Sequence, residues 1–219
     1  MRRTAVGVAC WLVQPLYVVV ELLVAAAASA SYSLRDDTIS ALGQLGCAPG
    51  HEGAVVDVCS AAPAVLDAAF VVFGLLRAAG AVLLRPAVAG GGWGTTACAL
   101  WVASGIAAAA VGLAPVDVVP GLHAGLALPV FVLQPLALVV TGVALGRSGA
   151  TGPRLARSGL AVGAMTVAGA AAFGARLAGG PWVGALERAT LWPAYPWLAG
   201  AAWVLMSRRA RGASDPGTF

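Results

Sequence analysis

Long apolar segments separated by short polar ones dominate the chain. A membrane-spanning helix needs about 20 mostly apolar residues, and six such segments are predicted, at 5–30, 61–84, 94–114, 121–145, 156–178 and 182–206. The first is too long for the apolar part of a signal peptide, and Gln14, Pro15 and Glu21 interrupt it, so we expect it to stay as a span. The pattern predicts an all-α integral membrane protein, a six-transmembrane-helix bundle.

Arginine placement predicts how this bundle is oriented. Nine arginines fall on one side of six spans, namely Arg2, Arg3, Arg85, Arg147, Arg154, Arg157, Arg208, Arg209 and Arg211, and Arg35, Arg176 and Arg188 fall on the other. Basic residues are enriched in cytoplasmic segments, so both termini are predicted to be cytoplasmic, in a multi-pass plasma-membrane protein. We expect one transmembrane domain over 1–208 and a short cytoplasmic tail over 209–219.

Composition excludes several classes of protein. The 219 residues are 60% hydrophobic and only 10% charged, and the mean hydropathy is +0.88. Soluble domains are about 45–50% apolar and about 25% charged, so a soluble or disordered chain is excluded. The net charge of +4 comes from arginines that fit the orientation pattern, so it does not indicate nucleic-acid binding. The sequence sets no oligomeric state.

One connection is long, the predicted outer loop at 31–60, and long loops in compact bundles are often functional. Cys47 and Cys59 lie in it and either form a disulfide or remain separate thiols, since their spacing alone does not decide. Cys10 and Cys98 lie in apolar spans and are interpreted as packing residues. The tripeptide Gln14-Pro15-Leu16 recurs as Gln134-Pro135-Leu136, which either reflects an inverted repeat of three plus three spans or is chance.

Ionisable side chains inside the spans are the candidate functional residues, because burying a charge in a membrane is costly. Glu21, Asp67, Arg77 and His123 lie within predicted spans, and Asp37, Asp117 and Glu187 lie near their outer ends. Together they predict a polar cavity in the outer half of the bundle. The alternatives are structural: Glu21 and Asp67 pair with arginines, His123 and Glu187 are interfacial residues, and Asp37 caps a helix or is a solvated loop charge.

Motifs of several enzyme classes are missing. The chain has no HExxH, GxSxG or P-loop motif and no DDxxD motif for magnesium diphosphate chemistry, and it contains only two histidines. We therefore expect neither a metal nor another cofactor.

Several segments resemble a bacterial family, domain-of-unknown-function family 998. The resemblance is carried by Gln14-Pro15…Tyr17…Glu21, Tyr32-Ser33…Asp37-Thr38-Ile39-Ser40, Val58-Cys59-Ser60, Phe70–Gly74, Trp101, His123, Gln134-Pro135, Glu187-Arg188 and Leu191–Tyr195. It covers nearly the whole chain and implies a six-span membrane protein without an assigned reaction. The family resemblance also implies an asparagine at the position of Asp67, so this chain has an additional carboxyl group there.

The favoured functional hypothesis is an enzyme similar in general design to membrane-bound terpene cyclases. Asp67 would protonate a prenylated substrate, and Glu21 or His123 would accept the final proton. Trp197, Tyr195 and Phe70 would stabilise the cation, and Arg77, Asp37, Asp117 and Glu187 would contribute to substrate binding.

Two other hypotheses remain open. The chain is a non-catalytic protein that binds a hydrophobic small molecule, a lipid or a protein partner through its outer loop and cavity, or it is a small proton-coupled carrier. In the carrier, Glu21, Asp67, Arg77 and His123 would form the proton relay.

Overall fold

The computed structural model describes residues 2–29, 31–46, 58–88, 91–149, 153–177 and 180–214, with the side chains of 209–214 excepted. Every regular element in these ranges is helical, which confirms the predicted all-α class. The α-helices are α1 (Arg2–Leu12), α2 (Leu16–Ala26), α3 (Pro63–Val88), α4 (Gly91–Val111), α5 (Pro120–Ser148), α6 (Pro153–Gly174), α7 (Val183–Leu191) and α8 (Ala194–Ser214). A short 3-10 helix, Ser40–Gly43, lies in the predicted outer loop.

Five of the predicted spans are helical segments long and apolar enough to cross a bilayer: Arg2–Ala26, Pro63–Val88, Gly91–Val111, Pro120–Ser148 and Pro153–Gly174. The sixth, predicted at 182–206, is divided between α7 and α8, and α8 ends in an arginine-rich segment. The count of six spans and the cytoplasmic position of both termini therefore stay predictions.

Large apolar side chains lie on the outer surface of the helices. Leu23 is 65% exposed, Leu128 60% and Ile106 56%. Helices that are apolar on their outer as well as their inner faces are typical of the membrane interior, where lipid tails surround them. The surface is that of a membrane protein.

The first span is broken at Pro15, which has no N–H to donate. The turn tightens there, so that the N–H of Gln14 bonds to the carbonyl of Trp11 (3.3 Å) and the N–H of Tyr17 to that of Gln14 (3.1 Å). The side chain of Gln14 donates through Nε2 to the carbonyl of Cys10 at 3.2 Å. A regular helix would supply that bond from the main chain, so the glutamine replaces it.

The last predicted span has a similar break, between α7 and α8 at Pro193. The N–H of Tyr195 bonds to the carbonyl of Trp192 at 3.1 Å, so it does not reach the carbonyl of Leu191 as a regular helix would require. Gln134 donates to this Leu191 carbonyl through Nε2 at 2.9 Å. A membrane interior offers no water to freed carbonyls, and a side-chain amide from a neighbouring helix satisfies this one.

Neighbouring spans pack in a closed ring. α3 packs on α1, α4 on α3, α5 on α4, α6 on α5, α7 on α6, and α8 returns to α1. Pro15 breaks its span, whereas Pro135, in the second copy of the tripeptide, lies inside the continuous helix α5. The two copies therefore differ in backbone conformation, and the inverted repeat stays a prediction.

Glycines allow α3 and α4 to touch through their backbones. A Cβ atom on Gly105 would lie 2.5 Å from the carbonyl oxygen of Gly74, and one on Gly74 would lie 2.5 Å from the carbonyl oxygen of Gly105. Small residues at such crossings permit the close approach that drives helix association in lipid. This crossing fixes the helix that carries Asp67 and Arg77.

Candidate functional site

Residues 31–46, here called the loop cap, fold over one end of the bundle. Asp37 accepts the N–H of Ser33 on Oδ2 at 2.7 Å, which closes a turn within the cap. Ile39 and Leu42 are fully buried and pack in the same apolar cluster as Leu66 of α3. The cap is therefore part of the folded core.

Arg188 of α7 is the main polar anchor of the cap. Its Nε donates to Oε1 of Glu21 on α2 at 2.9 Å. One terminal nitrogen donates to the carbonyls of Leu34 (2.8 Å) and Asp37 (3.0 Å), and the other donates to the hydroxyl of Tyr32. One guanidinium thus joins α2, α7 and the cap.

Glu21 is held from both sides. Its side chain is 0% exposed and that of Arg188 is 6% exposed. Its second oxygen, Oε2, accepts the indole N–H of Trp192 at 2.9 Å. Both oxygens of the buried Glu21 carboxylate are bonded to residues of the last predicted span. Glu21 is therefore a structural link between the two broken spans.

Two further carboxylates bind main-chain N–H groups of the cap. Glu187, 4% exposed, accepts the N–H of Ile39 on Oε2 at 2.6 Å. Asp117, 5% exposed, accepts the N–H of Gly46 on Oδ2 at 2.8 Å. Both therefore hold the cap as Arg188 does, through its backbone.

His123 of α5 holds the cap through a side chain. Its Nδ1 lies 2.7 Å from the carbonyl oxygen of Ala114, and its Nε2 lies 2.8 Å from the hydroxyl of Ser40. Because a carbonyl can only accept, Nδ1 carries the proton, and in the neutral ring Nε2 then accepts from Ser40. The ring is a bridge between the connection before α5 and the cap.

Arg77 lies deeper in the bundle, near the middle of α3, and is 1% exposed. It donates to Oε1 of Gln134 and to the hydroxyl of Ser104 (3.4 Å). Its guanidinium carbon lies 5.3 Å from the ring centroid of Tyr195. Among the described residues, no carboxylate oxygen lies within 4.0 Å of its nitrogens, and its Nε has no hydrogen-bond partner.

A crevice runs between the loop cap and Arg77. It encloses about 440 Å³ including its opening, but only a small part of that volume is wide enough for a water molecule. The wall is mostly aromatic and aliphatic, with few polar groups. It is formed by Tyr17, Ser40, Phe70, Phe73, Gly74, Arg77, Ala108, Val111, Ala127, Val130, Phe131, Glu187, Leu191 and Tyr195.

Asp67 lies on α3 beneath the 3-10 helix and does not line this crevice. A Cβ atom on Gly43 would lie 2.5 Å from its Oδ1, so the carboxyl faces the backbone of the cap. Asp67 is half-buried and interacts electrostatically with the carboxylate of Asp117.

The predicted site residues therefore fall into separate groups. Phe70, Arg77, Glu187 and Tyr195 line the crevice together. Glu21, Asp37, Asp117 and His123 are bonded in the links between cap and bundle. Trp197 packs in a different apolar cluster from that of the cap, and its indole donates to Ser158 at 3.1 Å. The catalytic and substrate-binding roles predicted for these residues stay predictions.

Sequence reasoning missed several residues of the wall and its support. Tyr17, Phe73 and Phe131 line the crevice, and Gln134 holds Arg77. The repeated Gln-Pro pair pointed to Gln134, but only as a sign of a repeat. Aromatic residues in an apolar span give no such signal, since packing and ligand binding use the same residue types.

Charged and polar groups of the cap shift one another's titration. Burial raises the pKa of Tyr32, and the neighbouring Arg188 opposes that shift. At the exposed edge, the hydrogen bond from Arg35 lowers the pKa of Asp36, and the N–H of Trp182 adds to this effect. Asp36 Oδ1 accepts that N–H at 2.9 Å, so the carboxylate form fastens the cap to the segment before α7.

Cysteine chemistry differs between loop and spans. Cys59 is disulfide-bonded, and its predicted partner, Cys47, lies outside the described residues. Cys10 is free and buried, and Cys98 is free and partly buried, as expected of packing residues in spans. Among the described residues, no three His, Cys, Asp or Glu side chains form a group that could hold a metal ion.

Comparison with known proteins identifies a family. The model of a family described as "Protein of unknown function (DUF998)" matches residues 11–204. No curated protein and no solved structure matches the chain significantly.

Proposed function

This chain belongs to the DUF998 family of proteins of unknown function, and we propose that it is a multi-pass membrane protein that binds a small amphiphilic molecule in the crevice beneath its loop cap. The observation that carries the proposal is the composition of the wall. Aromatic and aliphatic side chains form most of it, and Arg77, Glu187 and Ser40 add a few polar groups. Small-molecule sites are typically concave, mostly apolar and supplied with a few placed polar groups.

The position of the crevice supports the same proposal. Tyr17 follows the break in the first span, and Leu191 and Tyr195 lie on either side of the break between α7 and α8. Broken helices commonly form the binding sites of membrane proteins, because their irregular backbone lines a cavity. Here both breaks meet at one crevice.

The geometry favours binding over acid-initiated cyclisation. Asp67, Glu21 and His123 lie outside the wall, and the last two are occupied in structural bonds. A general acid has to come within hydrogen-bond reach of the atom that it protonates. The cyclase hypothesis stays a prediction, which Asp67→Asn tests directly.

A proton relay has less support than a binding site. Arg77 bonds to Gln134 and Ser104, which are neutral groups that do not titrate near neutral pH. Glu21 bonds to Arg188 and Trp192. Glu21, Arg77 and His123 therefore bond to groups outside the predicted relay. We place the crevice toward the outer side of the plasma membrane, as the arginine pattern predicts.

The test is binding by the protein in lipid nanodiscs. Hexadecanol, palmitate and hexadecylamine are added in turn, and the thermal unfolding temperature is measured. The variant Ala127→Phe places a ring in the crevice wall, and we expect it to abolish the rise in unfolding temperature that a ligand gives the wild type. Mass spectrometry of solvent extracts measures any amphiphile that co-purifies, and its amount per protein is expected to fall in the same variant.

Ala124→Phe is the matched control. Ala124 is exposed on the same helix and does not line the crevice, so this variant is expected to bind as the wild type does. The proposal fails if none of the three amphiphiles changes the unfolding temperature and none co-purifies. It also fails if both phenylalanine variants bind equally well.

A further inference from the structure

Arg77 is a buried cation whose described partners do not neutralise it. Starting from Pro63, it lies about 21 Å along a helix of about 39 Å. Its bonds to Gln134 and Ser104 and its contact with the Tyr195 ring compensate part of the lost hydration. A charge near the middle of a membrane helix is costly unless it is paired or faces a cavity, and Arg77 faces the crevice.

The guanidinium also has unused donor capacity. Its Nε is buried and has no hydrogen-bond partner among the described residues. A buried donor without an acceptor costs free energy. Within the described part of the chain, Arg77 therefore lacks both a negative counter-charge and a hydrogen-bond acceptor for its Nε. An oxyanion supplies both.

Resting on the proposed function, we propose that the ligand of the crevice is an amphiphile whose head group is an oxyanion, a carboxylate or a phosphate, bound by Arg77. Arginine matches such groups because its planar donors bind two oxygens at once. The apolar part of the ligand lies against Phe70, Phe73 and Phe131 of the same wall.

Glu187 is the negatively charged residue on the wall, so the test has to include a cationic amphiphile as the alternative ligand. One of its oxygens accepts the N–H of Ile39, at the cap end of the crevice. Glu21 and Arg188 neutralise each other, so Arg77 and Glu187 are the described charged groups left to select a head group. A cationic amphiphile preferred over an anionic one would therefore assign recognition to Glu187.

The experiment compares head groups on one tail. Hexadecanol, hexadecylamine, palmitate and hexadecyl phosphate are titrated into nanodiscs at pH 9, and affinity is expressed as mole fraction in the bilayer. We expect palmitate and hexadecyl phosphate to bind about 10- to 100-fold more tightly than hexadecanol, the range for hydrogen bonds to charged groups. Competition by inorganic phosphate shows whether a free anion suffices without a tail.

Arg77→Gln is expected to remove this preference while binding of hexadecanol persists. Arg77→Lys keeps the charge and is expected to retain part of the preference. Arg85→Gln is the matched control on the same helix, because Arg85 is exposed and bonds to Thr95. If Arg77→Gln fails to fold, the wild-type ranking and Arg77→Lys still decide the question.

The outcomes separate the two proposals. Equal affinity for hexadecanol and palmitate, or tighter binding of hexadecylamine, overturns the oxyanion inference and leaves the binding function in place. Inorganic phosphate that competes fully assigns the site to a free anion and overturns the amphiphile. Absence of binding by every probe removes the proposed function itself.

Discussion

Glu21 and Arg188 show why a charged residue in a membrane span need not be catalytic. Each is almost completely buried. The bond between them connects α2 with α7, and Arg188 also donates to two carbonyls of the cap. Removing one member of such a pair leaves an uncompensated buried charge, which costs more than the pair itself contributes. The stability of this end of the bundle therefore depends on both residues together.

Glu21→Gln is expected to destabilise the protein by about 3–5 kcal/mol, since it leaves Arg188 without its counterion. The measurement is the free energy of unfolding in mixed micelles, followed by tryptophan fluorescence. Arg154→Gln is the control, because Arg154 is exposed and we expect no measurable change when a solvated charge is removed. Equal stability of Glu21→Gln and the wild type would contradict the structural role.

Asp67→Asn is expected to leave ligand affinity unchanged and the unfolding temperature unchanged or slightly raised. The substitution removes repulsion from the Asp117 carboxylate, and Asp67 does not line the crevice. Affinity is measured in the nanodisc assay, and membranes containing either protein are also incubated with farnesylated and geranylgeranylated small molecules. A cyclised product formed by the wild type and lost in Asp67→Asn would restore the enzyme hypothesis.

At the scale of elements, the position of α3 depends on glycine. Its crossing with α4 leaves no room for a Cβ atom at Gly74 or Gly105, since a backbone carbonyl oxygen occupies that space. A backbone atom of a packed helix cannot rotate aside as a side chain can. The crossing therefore sets the distance between the two helices.

Gly105→Ala is expected to cost about 1–3 kcal/mol through overpacking at this crossing. Gly92→Ala, at the start of the same helix, is the matched control, because no described atom beyond its own chain neighbours and helix backbone lies within 4 Å of its added Cβ. The free energy of unfolding of both variants is measured under the same conditions. A cost for Gly92→Ala as large as that for Gly105→Ala would show that the effect is not local to the crossing.

The attachment of the cap near α7 is expected to depend on pH. Because the folded-state pKa of Asp36 is lowered by Arg35, its contribution is present above the unfolded pKa and is lost as pH falls through the folded value. Hydrogen exchange at the N–H of Trp182, corrected for intrinsic rates, is expected to accelerate at acid pH. In Asp36→Asn this acceleration should disappear; if it persists, another group controls the segment.

The sequence was sufficient to predict the helices but not the contacts between them. Five of the six segments predicted from apolar length are helical segments long and apolar enough to cross, because the bilayer dictates how long a helix must be. Apolar length did not predict that α7 and α8 would be separate helices, although Pro193 was visible. Whether a proline only bends a span or breaks it depends on partners elsewhere, as the continuous helix at Pro135 shows.

The same limit applies to the candidate site. The cost of burying a charge singled out Glu21, Arg77 and His123 within the predicted spans, and all three are buried. It could not assign their partners, because Arg188 is 167 positions away from Glu21 and Gln134 is 57 positions away from Arg77. Which buried charge is paired and which faces a cavity is a property of the three-dimensional packing.

At the scale of the whole molecule, α7 and α8 decide whether the chain crosses the membrane five or six times. α7 packs against α6, which is long and apolar enough to cross, and α8 packs against α1, which is part of the crossing-length segment Arg2–Ala26. Large apolar side chains of α8 lie on the protein surface, where Trp203 is 59% exposed and Met206 38%. Exposing these side chains to water is unfavourable, whereas in a bilayer they contact lipid tails. A broken span that crosses is therefore expected, and it brings the C-terminus to the side of the N-terminus.

Cysteine labelling in cells tests this crossing. One cysteine at a time is added at Leu34, Ser148 or Arg208, in a background where Cys10 and Cys98 are replaced by alanine and Cys47 and Cys59 are kept. The same background without an added cysteine gives the baseline of labelling. A membrane-impermeant maleimide is expected to label Leu34→Cys in intact cells, and Ser148→Cys and Arg208→Cys only after the membrane is permeabilised. Labelling of Arg208→Cys in intact cells, with Ser148→Cys protected, would mean that α7 and α8 together do not cross. Labelling of Leu34→Cys in intact cells would still place the loop cap and the crevice beneath it on the exterior. The arginines of α8 would then be an exception to the orientation rule.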